Sequence, residues 1–331
     1  MMHALTRREA LAGIGTLAFS ATASRAIAQQ NAPTSAPAAP QNGAGFYRFR
    51  VGQIECYSIG DSQGRLPAYP YWGENASEEA VTAALRTALI KPDAMLINFT
   101  PLLFKIGSEW WLVDAGNGGN PTSPGQLLRH LGTIGVKPAD ISGVILSHLH
   151  FDHFQGLFDG ADKLVFANAK YFVNKVEHEF WSGKPDLSRS SMSEQFKQLI
   201  TNSTTKALAA LTASGKLQIV GDGETLSTGL SVHRSGGHTP GHQTVALESG
   251  GEKFEMLVDV AHHHIMSMRH PDWHVQFDFD PREGARVRRA TLERVSREQT
   301  KVMLYHTPWP GIGYVLPDRD AYAWLPVAWE W

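Results

Sequence analysis

The sequence ISGVILSHLHFDH, at residues 141–153, joins an apolar run to a cluster of polar side chains. The run Ile141–Leu146 is short and continuous, which is typical of a buried strand. The cluster that follows offers three imidazoles and one carboxylate within six residues. These are His148, His150, Asp152 and His153. Both groups are good zinc ligands, and a loop that leaves a rigid strand can point alternate side chains into one cavity, so the stretch predicts a metal site.

Three later segments carry further candidate ligands. His238 opens the segment HTPGH, Asp259 follows a predicted strand, and His306 follows the last predicted strand. With these motifs in this order, the sequence resembles the metallo-β-lactamase superfamily over about residues 46–331. One departure is Val258, which stands where the family usually has a glycine before its aspartate.

The resemblance implies two divalent metal ions, with zinc favoured, bound by five histidines and two aspartates. The ligands of the first metal position are His148, His150 and His238; those of the second metal position are Asp152, His153 and His306; Asp259 bridges the two. Histidine and aspartate do not by themselves fix the identity of the metal, so iron and manganese stay open.

A dinuclear site of this kind implies hydrolysis. Two aspartates and a bridging hydroxide leave the pair of ions with a small positive charge, which suits a developing oxyanion. One ion lowers the pKa of bound water toward about 7, and the other can polarise the carbonyl or phosphoryl oxygen of a substrate. The resemblance therefore implies a metal-dependent hydrolase that uses a metal-bound hydroxide, with Asp152 and Asp259 as its catalytic carboxylates.

The bridging aspartate also bears on the substrate, because true β-lactamases of the superfamily generally lack it. The segment HTPWPGIG at residues 306–313 is similar to the ending of exported lactonases and methyl-parathion-type hydrolases. In those enzymes aromatic side chains line an apolar pocket, so Trp181 and Phe196 are candidate substrate contacts, with core packing as the alternative. We expect hydrolysis of a lactone or related carboxylic ester. The alternatives are an organophosphate triester hydrolase, then a β-lactam hydrolase, or a non-catalytic metal-binding member of the fold.

Other histidines near these motifs receive different interpretations. His242 is expected to be a strand residue that braces the loop of His238. The histidine tract at residues 262–264 follows Asp259, yet seven ligands already complete two sites, so the tract is left outside the ligand set. The alternative is that one member of the tract contacts the substrate or hydrogen-bonds to a residue that binds the metal.

The N-terminus of the chain predicts export. Residues 1–28 combine the pair Arg7 and Arg8, a short apolar run and a small-residue exit, a pattern typical of a signal peptide of the twin-arginine type. Residues 29–45 are rich in Ala, Pro and Gln and are expected to form a flexible linker. We therefore expect a periplasmic or secreted protein whose catalytic domain covers residues 46–331, with no membrane contact after signal removal.

Net charge and cysteine content limit the class of binding partner and exclude an internal disulfide. The formal net charge of −2 argues against a nucleic-acid partner and favours a small-molecule substrate, while a homodimer is left open. The only cysteine, Cys56, cannot form an internal disulfide. Because Cys56 stands in an alternating segment, it is expected to be a buried thiol in a strand.

Periodicity locates the main elements and the fold class. Helical spacing of apolar residues predicts helices over 123–135, 193–214 and 281–299. Strand-rich halves, each with helices, predict an α/β fold of two packed sheets with helices outside. The resemblance specifies this arrangement as the four-layer αββα metallo-β-lactamase sandwich.

Overall fold

Apolar runs of the sequence become the strands of two seven-stranded sheets in the computed structural model, which describes residues 45–329. The signal peptide predicted for residues 1–28, and all but the last residue of the linker predicted for 29–45, lie outside the described residues. The strands are β1 Phe46–Val51, β2 Ile54–Ile59, β3 Ser62–Leu66, β4 Met95–Phe99, β5 Leu102–Ile106, β6 Glu109–Val113, β7 Ile141–Leu146, β8 Lys170–Asn174, β9 Leu217–Val220, β10 Glu224–Ser227, β11 Leu230–Arg234, β12 Gln243–Ser249, β13 Glu252–Val258, β14 Lys301–Leu304, β15 Ile312–Asp318 and β16 Ala321–Pro326.

Helices connect and cover these strands. They are α1 Glu78–Arg86, α2 Leu127–Ile134, α3 Phe151–Phe154, α4 Lys175–Ser182, α5 Glu194–Ala213, α6 Met266–Arg269 and α7 Pro281–Glu298, with short 3-10 helices at Pro138–Asp140 and Gln155–Leu157. None of the helices in the described part of the chain is long and apolar enough to cross a membrane.

Both large sheets mix parallel and antiparallel pairing. The first sheet has the order β1-β2-β5-β6-β7-β8-β9, and the second has the order β10-β11-β12-β13-β14-β15-β16. Strands β6 to β9 are parallel to one another, as are β13 and β14, and the other neighbours in these sheets are antiparallel. Strands β3 and β4 form a separate antiparallel pair. Parallel strands end at the same edge of a sheet, so the loops that leave them meet there.

Three apolar clusters separate four layers. Side chains of the first sheet, such as Phe104, pack against side chains of the second, such as Met256, in one cluster. Leu131 of α2 and Leu211 of α5 belong to a second cluster on the outer face of the first sheet. Leu292 of α7 belongs to a third cluster, which covers the second sheet. The predicted four-layer αββα order is therefore confirmed.

One predicted helix has a different start. The helices predicted over 193–214 and 281–299 are confirmed as α5 and α7. The helix predicted over 123–135 begins only at Leu127. The buried carboxylate of Asp61 accepts a hydrogen bond from the Leu127 N–H at 3.0 Å, which fixes the helix start and leaves the preceding residues in a loop.

Helix α4 was not predicted from periodicity, although it carries residues used below. It begins directly after β8, with Asn174 as its N-cap. The Asn174 Oδ1 atom accepts a hydrogen bond from the Val176 N–H at 2.9 Å, which satisfies one free donor of the first turn. Because the helix begins directly after the strand, no turn residues separate the strand pattern from the helix pattern in the sequence.

Cys56 provides a probe of the packing between the sheets. The thiol is fully buried in β2, as expected, and burial raises its pKa. Since the thiolate is the reactive form, we expect a disulfide reagent such as DTNB to label folded protein at less than about a hundredth of the rate for unfolded chain. Labelling across a guanidinium series should follow the loss of far-UV circular dichroism. Fast labelling without a change in circular dichroism would contradict the packing described here.

Candidate metal centre

The histidine-rich loop leaves β7 and turns at once into α3. His148 and His150 precede this helix, while Asp152 and His153 lie in its first turn. The three imidazoles are 6% exposed or less, whereas the Asp152 side chain keeps 16% of its surface exposed. Asp152 is therefore the candidate ligand of this loop that is most open to solvent.

The structure brings together the residues of both metal positions. In each position the candidate ligand atoms all lie within 4.8 Å of one another. The members are His148, His150 and His238 in the first position, and Asp152, His153 and His306 in the second. These residues belong to loops that follow β7, β11 and β14, so ends of strands from both sheets meet at the cluster.

Asp259 lies at the centre of the cluster. Its Oδ2 atom faces the Nε2 atoms of five histidines at distances from 3.2 to 3.8 Å. The distances are 3.2 Å to His306, 3.3 Å to His238, 3.4 Å to His153, 3.5 Å to His262 and 3.8 Å to His148. A carboxylate that is only 3% exposed thus contacts members of both metal positions, which is the geometry that a bridging ligand requires.

Several buried polar atoms of the cluster lack a hydrogen bond. Within residues 45–329, no partner is found for Nε2 of His148, His150 or His153, or for Oδ1 of Asp259. Buried polar groups are almost always paired, because leaving them unpaired costs free energy. Divalent ions bound between these atoms would complete them, so the residues present fit a metal pair.

Carboxylates behind the cluster orient two of the imidazoles. His153 donates from Nδ1 to Asp114 Oδ2 at 2.8 Å, and His238 donates from Nδ1 to Asp278 Oδ1 at 2.8 Å. Arg288 in turn donates to the other oxygen of Asp278 at 3.1 Å. These bonds place the proton on Nδ1, so Nε2 carries the lone pair that a metal ion would use. In this structure the Nε2 atom of His238 lies 2.9 Å from Nδ1 of His150.

Sequence reasoning missed both of these carboxylates. Asp114 directly follows β6, and a polar residue immediately after a buried strand was an available signal. Asp278 lies in the irregular segment before α7 and offers no comparable local signal.

Burial and charge act differently on the two metal positions. Burial, together with neighbouring histidines, lowers the pKa of all three histidines of the first position and keeps these rings neutral, as metal ligation requires. Burial also opposes a charge on His153, but Asp152 and Asp259 outweigh it and raise the pKa of this ring. Burial raises the pKa of Asp152, yet His153 lowers it to about 2 overall. A proton and a metal ion therefore compete for His153.

The backbone at Asp259 is held by its neighbours. His242 accepts a hydrogen bond from the Asp259 N–H through Nε2 at 3.2 Å, and its Nδ1 atom lies 2.6 Å from Ser235 Oγ. His242 was expected to brace the loop of His238 from a strand; its ring instead holds the backbone at Asp259, and the residue directly precedes β12. Val258 has a φ of 54°, which lies in the left-handed region that favours glycine. The family's glycine position therefore keeps a glycine-like conformation in this chain.

The histidine tract at residues 262–264 divides into different contacts. The ring of His262 is 2% exposed and lies parallel to the ring of His306, with centroids 5.6 Å apart. Neither ring nitrogen of His262 has a hydrogen-bond partner in the described part of the chain. His263 instead accepts two backbone N–H bonds at the start of α6. His262 thus joins the cluster, which the count of seven ligands did not anticipate.

The two aromatic candidates for substrate contact differ in accessibility. Trp181 is 1% exposed and donates its Nε1–H to Glu177, so it offers almost no surface to a ligand in this structure. Phe196 is half-buried and lies in a row of four rings, the aromatic row. The row consists of Phe151, Phe196, Phe277 and Tyr71, with successive centroids 6.0, 5.9 and 5.4 Å apart. The backbone of Phe151 lies between His150 and Asp152, so the first ring of the row is attached to the histidine-rich loop. Both assignments to the substrate stay predictions.

Comparison with known proteins gives matches in sequence. The model of the metallo-β-lactamase superfamily matches residues 101–254, a region that holds five of the seven implied ligands. N-acyl homoserine lactonases of Bacillus sp. and Bacillus cereus are 29% and 28% identical to this chain over 128 residues, or 39% of its length. Each of these matches spans 41% of the lactonase.

Similarity to solved structures covers most of the chain. AidC, a dizinc quorum-quenching lactonase, is 26% identical with a TM-score of 0.82, and the match covers 86% of this chain and 98% of AidC. The hydrolase AbOPH of the β-lactamase superfamily is 22% identical with a TM-score of 0.81, covering 88% and 100% of the two chains, and this likeness concerns the fold alone. The matched region, the strand order and the cluster of candidate ligands agree, and the chain has the α/β metallo-β-lactamase fold.

Proposed function

We propose that this metal-dependent hydrolase opens the ring of an N-acyl homoserine lactone or a related lactone. The observation that supports the proposal is the buried cluster around Asp259 at one end of the aromatic row. Such a lactone has an ester group suited to metal ions and an acyl chain suited to aromatic rings. The names of the similar Bacillus lactonases and of AidC point to the same substrate class.

The ligand assignment divides the cluster between two ions. We assign His148, His150 and His238 to one ion, Asp152, His153 and His306 to the other, and Asp259 to both. When bound, such ions activate water and polarise an acyl oxygen. Asp259 is buried and balances positive charge from within the cluster, whereas the more exposed Asp152 is the carboxylate able to exchange a proton with a departing group.

His262 is assigned the role of a hydrogen-bond donor to the substrate. It is a buried imidazole with both nitrogens available, and its Nε2 atom lies 3.5 Å from the Asp259 carboxylate. An imidazole in this place can donate a hydrogen bond to an oxygen of the substrate, where a donor gains most if charge develops during the reaction.

Export is proposed alongside the reaction. The paired arginines and apolar run of residues 1–28 support a signal peptide that directs the protein to the periplasm or the exterior. Lactones with an acyl chain are small molecules, so the proposed binding partner is the substrate itself.

Turnover and metal content together test the proposed function. Purified protein reconstituted with zinc should contain about two ions per chain and should hydrolyse N-acyl homoserine lactones faster than aryl esters, phosphotriesters or nitrocefin. Elemental analysis and a turnover screen on one preparation measure both. Two ions with phosphotriester turnover alone would favour an organophosphate hydrolase, and two ions without turnover would favour a binding protein. Fewer than two ions would refute the dinuclear assignment.

The variant His262→Ala should lower kcat while both metal ions stay bound. Loss of one donor to a developing oxyanion costs roughly 10²-fold in rate. The matched control is His264→Ala, since the His264 ring lies against His263, with centroids 4.5 Å apart, and belongs to neither metal position. Steady-state kinetics and elemental analysis of both variants provide the measurement. If His262→Ala loses a metal ion along with activity, His262 is a ligand and does not act on the substrate.

The variant Phe196→Ala should flatten the dependence of kcat/KM on acyl-chain length. Each buried methylene contributes ~0.8 kcal/mol, so two more should raise kcat/KM up to roughly tenfold in the unaltered protein. Phe158→Ala is the matched control, because Phe158 is also half-buried but lies outside the aromatic row. A series of lactones of increasing chain length, with melting temperature recorded for each variant, gives the slopes. An unchanged slope in folded Phe196→Ala would remove this ring from the acyl site.

A further inference from the structure

Glu177 is a carboxylate with no exposed surface, in the first turn of α4 and outside both metal positions. Its Oε1 atom accepts hydrogen bonds from the Leu149 N–H and the Trp181 Nε1–H, both at 3.0 Å. Its Oε2 atom accepts from Thr239 Oγ1 at 2.7 Å and from the Gly241 N–H at 2.9 Å. Four neutral donors thus surround one buried charge, and within residues 45–329 no lysine or arginine forms an ion pair with it.

Three of the four donors belong to two loops that come from different sheets, and the fourth, Trp181, lies in α4 itself. Leu149 lies between His148 and His150, in the loop that follows β7 of the first sheet. Thr239 follows His238, in the loop between β11 and β12 of the second sheet. One carboxylate therefore ties together the two backbone segments that carry all three histidines of the first metal position.

The packing around Glu177 leaves no room for adjustment. A Cβ atom at Gly241 would lie 2.1 Å from the backbone nitrogen of Glu177, so the start of α4 rests directly on the loop of His238. A buried charge is unfavourable unless its hydrogen bonds are complete, so displacement of either loop leaves this carboxylate under-bonded. The carboxylate therefore favours one spacing of the two loops.

We propose that Glu177 is a positioning residue that sets the distance between the His148–His150 loop and His238, and so the metal affinity of the first metal position. The inference rests on the proposed binding of two ions. Trp181 belongs to the same arrangement, because its indole N–H is one of the four donors to Glu177.

The second metal position has separate supports, which makes the inference specific. His153 is held by Asp114 at 2.8 Å, and His306 donates from Nδ1 to the Asn98 carbonyl at 2.9 Å. Neither bond involves Glu177. Changes at Glu177 or its donors should therefore weaken one zinc-binding step and spare the other.

Thr239 allows the test with the least disturbance. Thr239→Val removes one hydroxyl donor to Glu177 and keeps the side-chain shape, whereas Thr239→Ser restores the donor. Thr244→Val is the matched control, because Thr244 Oγ1 donates to the buried Glu255 at 2.8 Å outside the cluster. Zinc affinity is measured for both binding steps by competition with a chromophoric chelator. Thr239→Val should weaken one step roughly tenfold, while Thr239→Ser and Thr244→Val leave both steps within about twofold of the unaltered protein.

Glu177→Gln should give a larger effect. The amide group replaces one acceptor by a donor, so two of the four donors lose their partner, and one zinc-binding step should weaken by roughly a hundredfold. The same titration in a His306→Ala background, where only the first metal position keeps its full set of histidines, should show the same loss. If Glu177→Gln does not fold, the Thr239→Val and Thr239→Ser pair decides the question.

Melting temperature without zinc separates positioning from general stability. If folded Glu177→Gln or Thr239→Val melts lower in chelator but binds both zinc ions as the unaltered protein does, the role is structural only and the proposal is wrong. Equal weakening of both zinc-binding steps overturns it as well. If the unaltered protein binds fewer than two zinc ions, the proposed function fails first, and this result is read before any variant is compared.

Discussion

The fold is organised around one buried carboxylate oxygen and the five imidazoles that face it. Asp259 Oδ2 lies 3.2 to 3.8 Å from these rings, in a place where water does not compensate for unpaired groups. This many polar groups can be buried together only if each one has a hydrogen bond or a metal ion as partner. The position of every ring is therefore constrained. Asp114 and Asp278 lie behind two of the rings and fix their orientation through hydrogen bonds to Nδ1.

The two-sheet architecture supplies what the cluster needs. The candidate ligands follow β7, β11, β13 and β14, and these strands belong to both sheets. The apolar layer between the sheets holds the strand ends in fixed relation, while the irregular segments beyond them carry the polar groups. Glu177 also connects the two sheets at this end. It joins a loop of one sheet to a loop of the other through hydrogen bonds, where no strands pair.

Local patterns predicted the candidate ligands that the structure brings together, but not the groups that orient them. The histidine-rich loop and the segments around His238, Asp259 and His306 stand out because ligand residues directly follow, or lie close beyond, apolar strands. The partners of these rings are fixed by tertiary contacts; the facing atoms of His150 and His238, for example, are 88 residues apart in the chain. Trp181 shows the same limit, since an aromatic pattern predicts an apolar contact and not the N–H bond that its indole makes.

Val258 shows how a departure in sequence can leave the geometry intact. A left-handed residue other than glycine costs roughly 1–2 kcal/mol, and a β-branched side chain makes this conformation less favourable still. The Val258 side chain is fully buried in the cluster between the sheets, and burying a valine contributes about 1.5–3 kcal/mol. Burial is therefore large enough to offset the strain. The register against β14 shifts between Met256 and Val258, and Asp259 leaves the strand toward the histidines directly after this residue.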